Sequence, residues 1–155
     1  MMNKAIAFLD NKGVLADVIE VKQAKSALEA AQVLKVELKQ IAKSLTFRTN
    51  DRPMLILMSG DTKVDSNKFV RMFKIKSKML DQEEVFKITG YLIGGVCPFA
   101  LDETNIDIYL DKSLQRNKII YPGAGDSEHL VKIELKKLEE IVQYVSYIDI
   151  GKIYE

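Results

Sequence analysis

Between Thr89 and Ala100 the chain gathers three glycines, one proline and its only cysteine, in the order Thr89-Gly90-Tyr91-Leu92-Ile93-Gly94-Gly95-Val96-Cys97-Pro98-Phe99-Ala100. Glycine has no Cβ, so other groups can approach its backbone closely and φ can be positive, while proline fixes the exit. Ordering such a stretch costs conformational entropy. Two readings fit it. One is a structural turn between a buried helix and a strand. The other is a loop whose exposed amides hold a ligand's oxygen atoms, as in anion-binding nests and oxyanion holes.

Further side chains could carry chemistry. If a strand begins at Lys43, then Lys43, Leu45 and Phe47 share a face, because side chains alternate with period two. That face is expected to be the buried one, which puts the Lys43 ammonium at the rim of a core or pocket, pointing into the opening. The alternative is a snorkelling lysine whose stem packs and whose head reaches water. His129 is the only histidine. It could serve as the base for a Cys97 nucleophile, yet no third orienting group is identifiable, and a lone cysteine is usually a small hydrophobe. One histidine and one cysteine offer no metal-ligand spacing, and Gly90 with Gly94-Gly95 matches neither a P-loop nor a dinucleotide fingerprint. No metal or cofactor is expected. Lys63, Lys68, Arg71, Lys74, Lys76 and Lys78 stand against the single acid Asp65. Such a run is either the solvated face of a helix or a phosphate-contacting patch.

The elements that must position these residues can be read from periodicity and caps. Residues 2–12 predict a short helix with Ile6 and Leu9 on one side, stopped by Gly13. Residues 16–21 alternate as a first strand. Ser26 and Glu29 have capping-box spacing ahead of a helix whose Ala27, Ala30, Ala31 and Leu34 form one face. A helical turn over 37–40 leads into the Lys43 strand. A turn at 50–53 precedes the apolar run Met54–Met58, expected as a central strand ending at Ser59-Gly60-Asp61. Asp65 or Ser66 caps a helix carrying Phe69, Val70, Met72 and Phe73. Asp81 and Glu84 box a helix with Val85, Phe86 and Ile88. Beyond the glycine-rich loop, Ile106, Ile108 and Leu110 mark a half-buried strand. Strands are expected over 118–121 and 129–133, then a helix through Leu135, Leu138, Ile141, Val142 and Val145. The tail 146–155 is apolar enough to pack but declares no type. The βα alternation is too irregular for a doubly wound sheet. The reading is α+β, one domain over 1–155, with a mixed, curved, barrel-like sheet flanked by short helices.

Bulk properties narrow the function classes. A net charge of +1 gives no global electrostatic case for nucleic acid, though a local patch would suffice. A single cysteine excludes an internal disulfide and fits a reducing cytosol. The longest wholly apolar run, Met54–Met58, is far short of the roughly 20 residues that cross a bilayer. No membrane partner and a cytoplasmic location are expected.

Taken in order, Ala42-Lys43-Ser44-Leu45, the strand ending Ser59-Gly60-Asp61, Thr89-Gly90-Tyr91 with Gly94-x-x-x-Pro98, and Gly125 before a strand and final helix resemble the YbaK/prolyl-tRNA-synthetase-associated editing family. The resemblance runs from about Ser26 to about Val142. It implies a mixed α/β fold around a curved barrel-like sheet, and a pocket that hydrolyses the ester joining a wrong amino acid to the tRNA 3′ end. By this resemblance Lys43 contacts the terminal nucleotide, Gly94 and Pro98 bound the loop beside the aminoacyl group, and Gly125 faces the pocket. The expected catalytic set is Lys43, Gly94, Gly95 and Pro98. The expected substrate-binding set is Phe47, Thr89, Gly90, Tyr91, Val96, Cys97, Gly125, Asp126 and His129. Two departures stand out: Ala100 where many members have glycine, and Gly123-Ala124-Gly125-Asp126-Ser127 where one branch has Gly-Gly-x-Arg-Gly. The expected activity is trans-acting deacylation of a mischarged tRNA(Pro) or a similar tRNA. The partner is the aminoacyl-tRNA 3′ acceptor end, with an aminoacyl-tRNA synthetase as a further candidate. An activated ester needs only a positioned water and oxyanion donors, one donor being worth ~10²–10³ in rate. Two rivals remain, an inactive tRNA-binding regulator and a Cys97-dependent thiol hydrolase.

Overall fold

The structure, a computed structural model, describes residues 3–22 and 24–154. Its helices are α1 (Lys4–Asn11), α2 (Ala27–Leu34), α3 (Ser66–Phe73), α4 (Gln82–Thr89) and α5 (Leu135–Ile141). Its strands are β1 (Val18–Glu20), β2 (Ile41–Phe47), β3 (Met54–Ser59), β4 (Thr62–Val64), β5 (Asp107–Asp111), β6 (Ile119–Pro122), β7 (His129–Val131), β8 (Ile133–Glu134), β9 (Ser146–Ile148) and β10 (Gly151–Ile153). Six of them form a mixed sheet in the order β8-β6-β2-β3-β5-β9, and the pairs β1-β7 and β4-β10 are antiparallel ribbons. The expected mixed sheet flanked by short helices is what the chain adopts.

The central strand is β3, as the apolar run predicts: all six of its residues are buried. It pairs antiparallel with β2 and parallel with β5. Both faces of the sheet are covered. Leu55 and Leu57 join the main core with Phe99, Leu110 and Leu138, while Met54, Ile56 and Met58 join a second core with Phe47, Phe69 and Ile150. A strand buried on both sides reads as a continuous apolar run rather than an alternating one.

Local signals place the helices. The Ser26 hydroxyl accepts the Glu29 amide at the start of α2, and Asp81 with Glu84 closes both halves of a capping box on α4. Asp65 accepts the Asn67 and Lys68 amides ahead of α3. The expected helix over 2–12 is described from Lys4 to Asn11, and Met2 lies outside the described residues.

Several expectations need correction. The strand over 16–21 is cut to Val18–Glu20, because a 3-10 turn occupies Leu15–Asp17. The strand over 129–133 breaks at Lys132, with β7 turning to β1 and β8 to β6. The last helix ends at Ile141, and Val145 is exposed, its amide held by the Ile108 carbonyl. The helix expected after Asp65 forms as α3, with Phe69 buried and Val70 and Met72 at the surface. The untyped tail supplies two strands: β9 pairs parallel with β5, and β10 pairs antiparallel with β4.

Candidate active site

Two loops are pressed together backbone to backbone. Helix α4 ends with Gly90 in the left-handed region at φ +79°. A turn follows in which the Gly95 amide donates to the Leu92 carbonyl at 2.9 Å, with Gly94 at φ +94°. Gly95 itself is fixed by space: a Cβ there would lie 2.6 Å from the Gly125 carbonyl oxygen and 2.9 Å from the Asp126 Cα. Only glycine lets backbones approach so closely.

The start of α1 locks this contact from behind. Asn3 Nδ2 donates to the Ala124 carbonyl at 3.2 Å and to Asp126 Oδ2 at 3.1 Å, while its Oδ1 caps α1 by accepting the Ile6 amide. Lys4 Nζ donates to the carbonyls of Thr89 and Ala100, the two ends of the glycine-rich loop, and lies over the Tyr91 ring. Sequence reasoning missed Asn3 and Lys4: Asn3 carries a local signal only as the N-cap of α1, and the loop partners of both residues are 85 or more residues away.

In front of the loops lies a cavity of about 310 Å³, walled by Ala42, Ser44 and Thr46 of β2, by Ile93, Gly94 and Val96, and by Asp126–Leu130. Its floor is an opening in the sheet. Strand β2 meets β6 only at Ile41 and Ala42. Its next partners on that edge come through Thr46 and Arg48, whose backbones bond to Leu80 and Lys78. Between them the Ser44 peptide, which points away from β3 like that of Thr46, has no hydrogen-bond partner among the described residues. The amides of Gly94 and Val96 likewise have no backbone acceptor among the described residues.

Asp126 and His129 form a pair at the cavity. His129 Nδ1 is 2.8 Å from Asp126 Oδ1 and 3.0 Å from Oδ2, and the Glu128 amide also donates to Oδ1 at 2.8 Å. Burial works against ionisation of Asp126, but hydrogen bonds from His129, the Glu128 amide and Asn3 outweigh it and hold the carboxyl below its ordinary value. An ionised carboxylate only accepts, so the neutral imidazole carries its proton on Nδ1 and keeps Nε2 as an acceptor. This is the orienting group not identifiable in the sequence.

Five of the expected site residues therefore line one cavity: Lys43, Gly94, Val96, Asp126 and His129. The others do not. Gly95, Pro98 and Gly125 stand behind it as packing supports, Gly95 and Pro98 being buried. Thr89 is buried, its hydroxyl donating to Val85 O and accepting the Tyr91 amide. Gly90 caps α4. Tyr91 is buried and ties the loop's ends together through its hydroxyl on the Phe99 carbonyl at 2.5 Å, and burial pushes its pKa up. Phe47 faces the other side of the sheet, packed on Phe69 with ring centroids 5.2 Å apart. Cys97 is fully buried, and burial pushes its thiol up to about 11 despite the neighbouring Tyr91 hydroxyl and amide contacts from Phe99 and Gly125. A thiol so buried and so weakly acidic is not an activated nucleophile.

Lys43 requires a correction of direction. It does share a face with Leu45 and Phe47, since these pair with Met58, Ile56 and Met54 of the second core. The cavity lies on the side of Ala42, Ser44 and Thr46. Lys43 contributes to the cavity wall, but its ammonium donates to the Thr62 carbonyl and sits 5.1 Å from the Tyr154 ring centre.

Comparison with known proteins bears on this arrangement. The model of the aminoacyl-tRNA editing domain family matches residues 21–141. An uncharacterized protein of Bacillus subtilis (strain 168), YwhH, is 38% identical over 141 residues, covering 90% of this chain and 89% of that protein. A proline–tRNA ligase of Caldicellulosiruptor saccharolyticus is 26% identical over 105 residues, or 67% of this chain and 18% of the ligase. Among solved structures, one described as a proposed trans-editing enzyme for prolyl tRNA synthetase superposes with a TM-score of 0.84 at 27% identity, covering 98% of this chain and 99% of that one.

Proposed function

This chain belongs to the aminoacyl-tRNA editing domain family, and from that premise we propose that it is a deacylase that acts in trans on a mischarged tRNA(Pro) or a similar tRNA. The observation that carries this reading is the juxtaposition, in one cavity, of the Gly94–Val96 backbone and an Asp126-oriented His129. A water attacks the ester carbonyl carbon and gives its proton to His129 Nε2. The carbonyl oxygen becomes an oxyanion held by the loop amides, each donor worth ~10²–10³ in rate. The tetrahedral intermediate collapses with the ribose oxygen as leaving group, and that oxygen takes the proton from the imidazolium. Synthetases need such a second site because small apolar side chains differ by only about 1–3 kcal/mol in a binding pocket.

Lys43 holds the terminal nucleotide in this scheme. Its ammonium has no carboxylate partner among the described residues. A swing of the side chain off the Thr62 carbonyl would bring it to a phosphate or ribose oxygen at the cavity's edge, as a charge-assisted hydrogen bond. A synthetase is the expected further partner, handing over the mischarged tRNA that this site hydrolyses. No helix among the described residues is long and apolar enough to cross a membrane, and a cytoplasmic setting fits a tRNA substrate.

Single-turnover hydrolysis against a panel of mischarged tRNAs tests the reading. Wild-type protein is expected to deacylate at least one of them. His129→Ala should lose ~10²–10⁴ in rate, the usual worth of a general base. Lys43→Ala should lose ~10² through mispositioning, without a change in melting temperature. Wild-type protein that hydrolyses no member of the panel overturns the proposal.

A further inference from the structure

On the far side of Lys43 is a second and larger cavity of about 790 Å³. Its walls come from the β4-β10 ribbon, the turn that follows β5, and the ring of Tyr154. The ribbon register sets Lys63 directly opposite Lys152. Directly opposed like charges on an antiparallel pair destabilise it, with Cβ atoms only about 4.5–5.5 Å apart. Neither lysine has a carboxylate within ion-pair distance among the described residues, and neither does Lys112 on the adjoining wall.

The carboxylates in and around this cavity are already engaged. Asp111 is buried and accepts the amides of Ser113 and Ile150, both at 2.9 Å. Asp149 pairs with Lys68 at 3.0 Å, and Asp61 grips Arg116 through two bonds of 2.9 and 2.5 Å. Three ammonium groups without an ion-pair partner among the described residues therefore share one concavity, with Asp65 near enough to Lys152 to feel its charge but not to pair with it. Tyr154 lies among them, about half exposed, with Lys63 Nζ 5.6 Å and Lys43 Nζ 5.1 Å from its ring centre. Lys43 joins the two cavities, since its side chain helps wall the smaller one while its ammonium touches Thr62 and Tyr154 of the larger.

We propose that this cavity is a second RNA site, in which Lys63, Lys112 and Lys152 take consecutive phosphates of a single strand and Tyr154 stacks one unpaired base. The proposal rests on the editing reading for the strand's polarity: its 3′-terminal nucleotide enters the smaller cavity past Lys43, and the preceding phosphates cross the ribbon. A ring with lysines around it and a basic trough beside it is the combination that holds single strands, stacking and phosphate neutralisation acting together.

The test is fluorescence anisotropy of a labelled, unacylated ten-nucleotide single-stranded RNA ending in CCA, titrated over a series of KCl concentrations. Three neutralised contacts account for about 2 in the slope of log K against log salt. Lys63→Gln/Lys112→Gln/Lys152→Gln should flatten the slope by that amount, and it should melt at or above wild type because the opposed pair is gone. Tyr154→Ala should weaken binding roughly tenfold with the slope intact. Lys74→Gln/Lys76→Gln, exposed but outside the cavity, is the comparator and should change the slope less. An unchanged slope in the triple variant overturns the proposal, as does an equal loss in the comparator. Complete displacement of the RNA by equimolar ATP also overturns it, since that marks a free-nucleotide pocket. Wild-type protein that deacylates nothing but still shows the lysine-dependent slope would remove the editing reading alone. Intact deacylation with an unchanged slope would remove only the second site.

Discussion

The two cavities that meet at Lys43 are walled in opposite ways. The smaller one sets loop amides, an unpaired strand edge and one oriented imidazole among apolar side chains such as Ala27, Ala30, Leu80 and Val85, held by the Gly95–Gly125 contact and clamped by Asn3. The larger one is side chain: long lysines and a tyrosine on a two-stranded ribbon, with its carboxylates already engaged. Main-chain walls hold dipoles at fixed positions and cost no reorganisation during a reaction, which is what stabilising a developing oxyanion asks for. Side-chain walls adapt, and their grip depends on salt. The first cavity should therefore fail when a single carbon is added, and the second only when charge is removed.

The contrast breaks most sharply at the glycine contact. Gly125→Ala would place a Cβ 2.5 Å from Asn3 Oδ1 and 2.8 Å from Ala5 Cβ, at φ +98°. Overpacking of this kind costs about 1–3 kcal/mol, and the left-handed backbone adds about 1 more. Thermal melting should show the loss, and single-turnover hydrolysis should fall by ~10² or more as Asn3 and the start of α1 are pushed off the loop that carries Ala124 and Asp126. A Gly125→Ala protein that melts and deacylates like wild type would mean the Asn3 clamp is not what holds the site.

The Asp126–His129 pair comes next. Asp126→Asn should reduce deacylation about tenfold to a hundredfold, because an amide can stabilise neither the Nδ1–H tautomer nor the imidazolium as a carboxylate does. It also has a pH signature. The folded pKa of Asp126 lies below its ordinary value of 3.8. Its contribution to stability is therefore fully present above that value and is lost as pH falls through the folded pKa. Asp126→Asn should flatten this acid limb of a stability-against-pH curve. An unaltered acid limb would show that the carboxylate is not engaged as described.

A smaller effect is expected at Cys97. Cys97→Ser should keep most of its deacylation, since the thiol faces the packing between the loops and not the cavity. Because burial pushes that thiol up to about 11, alkylation of wild type should be slow at pH 8 and accelerate only on unfolding. Rapid labelling at pH 8 that abolishes activity would restore the thiol-hydrolase rival.

Ala100→Gly should change least. Ala100 sits at φ +59°, in the left-handed region that favours glycine. Replacing it should stabilise the fold by up to about 1 kcal/mol, offset in part by the extra freedom of the unfolded chain. A lower melting temperature would place the cost elsewhere than in φ. The departure noted at this position is thus a small, local strain.

What the sequence by itself determined is local. Caps such as Ser26 with Glu29 and Asp81 with Glu84 act within one helical turn, so their partners are neighbours in the chain. Gly90, Gly94 and Gly125 are in the left-handed backbone that the glycine-rich stretches imply, and Met54–Met58 is apolar because β3 is covered on both sides. The tertiary structure alone decided which face of β2 meets the cavity. The Leu45–Phe47 row is buried as periodicity requires, but both faces of the sheet carry a core, so burial could not identify the one holding the site. It likewise decided that Ser44 lies at an unpaired edge, because β6 leaves β2 after Ala42. Asn3 reaches Asp126 across 123 residues, and Lys152 comes opposite Lys63 only when the tail returns to β4. Pairings of that length leave no period in the chain. They are fixed by which surfaces the packed sheet leaves open, and that is a property of the whole fold.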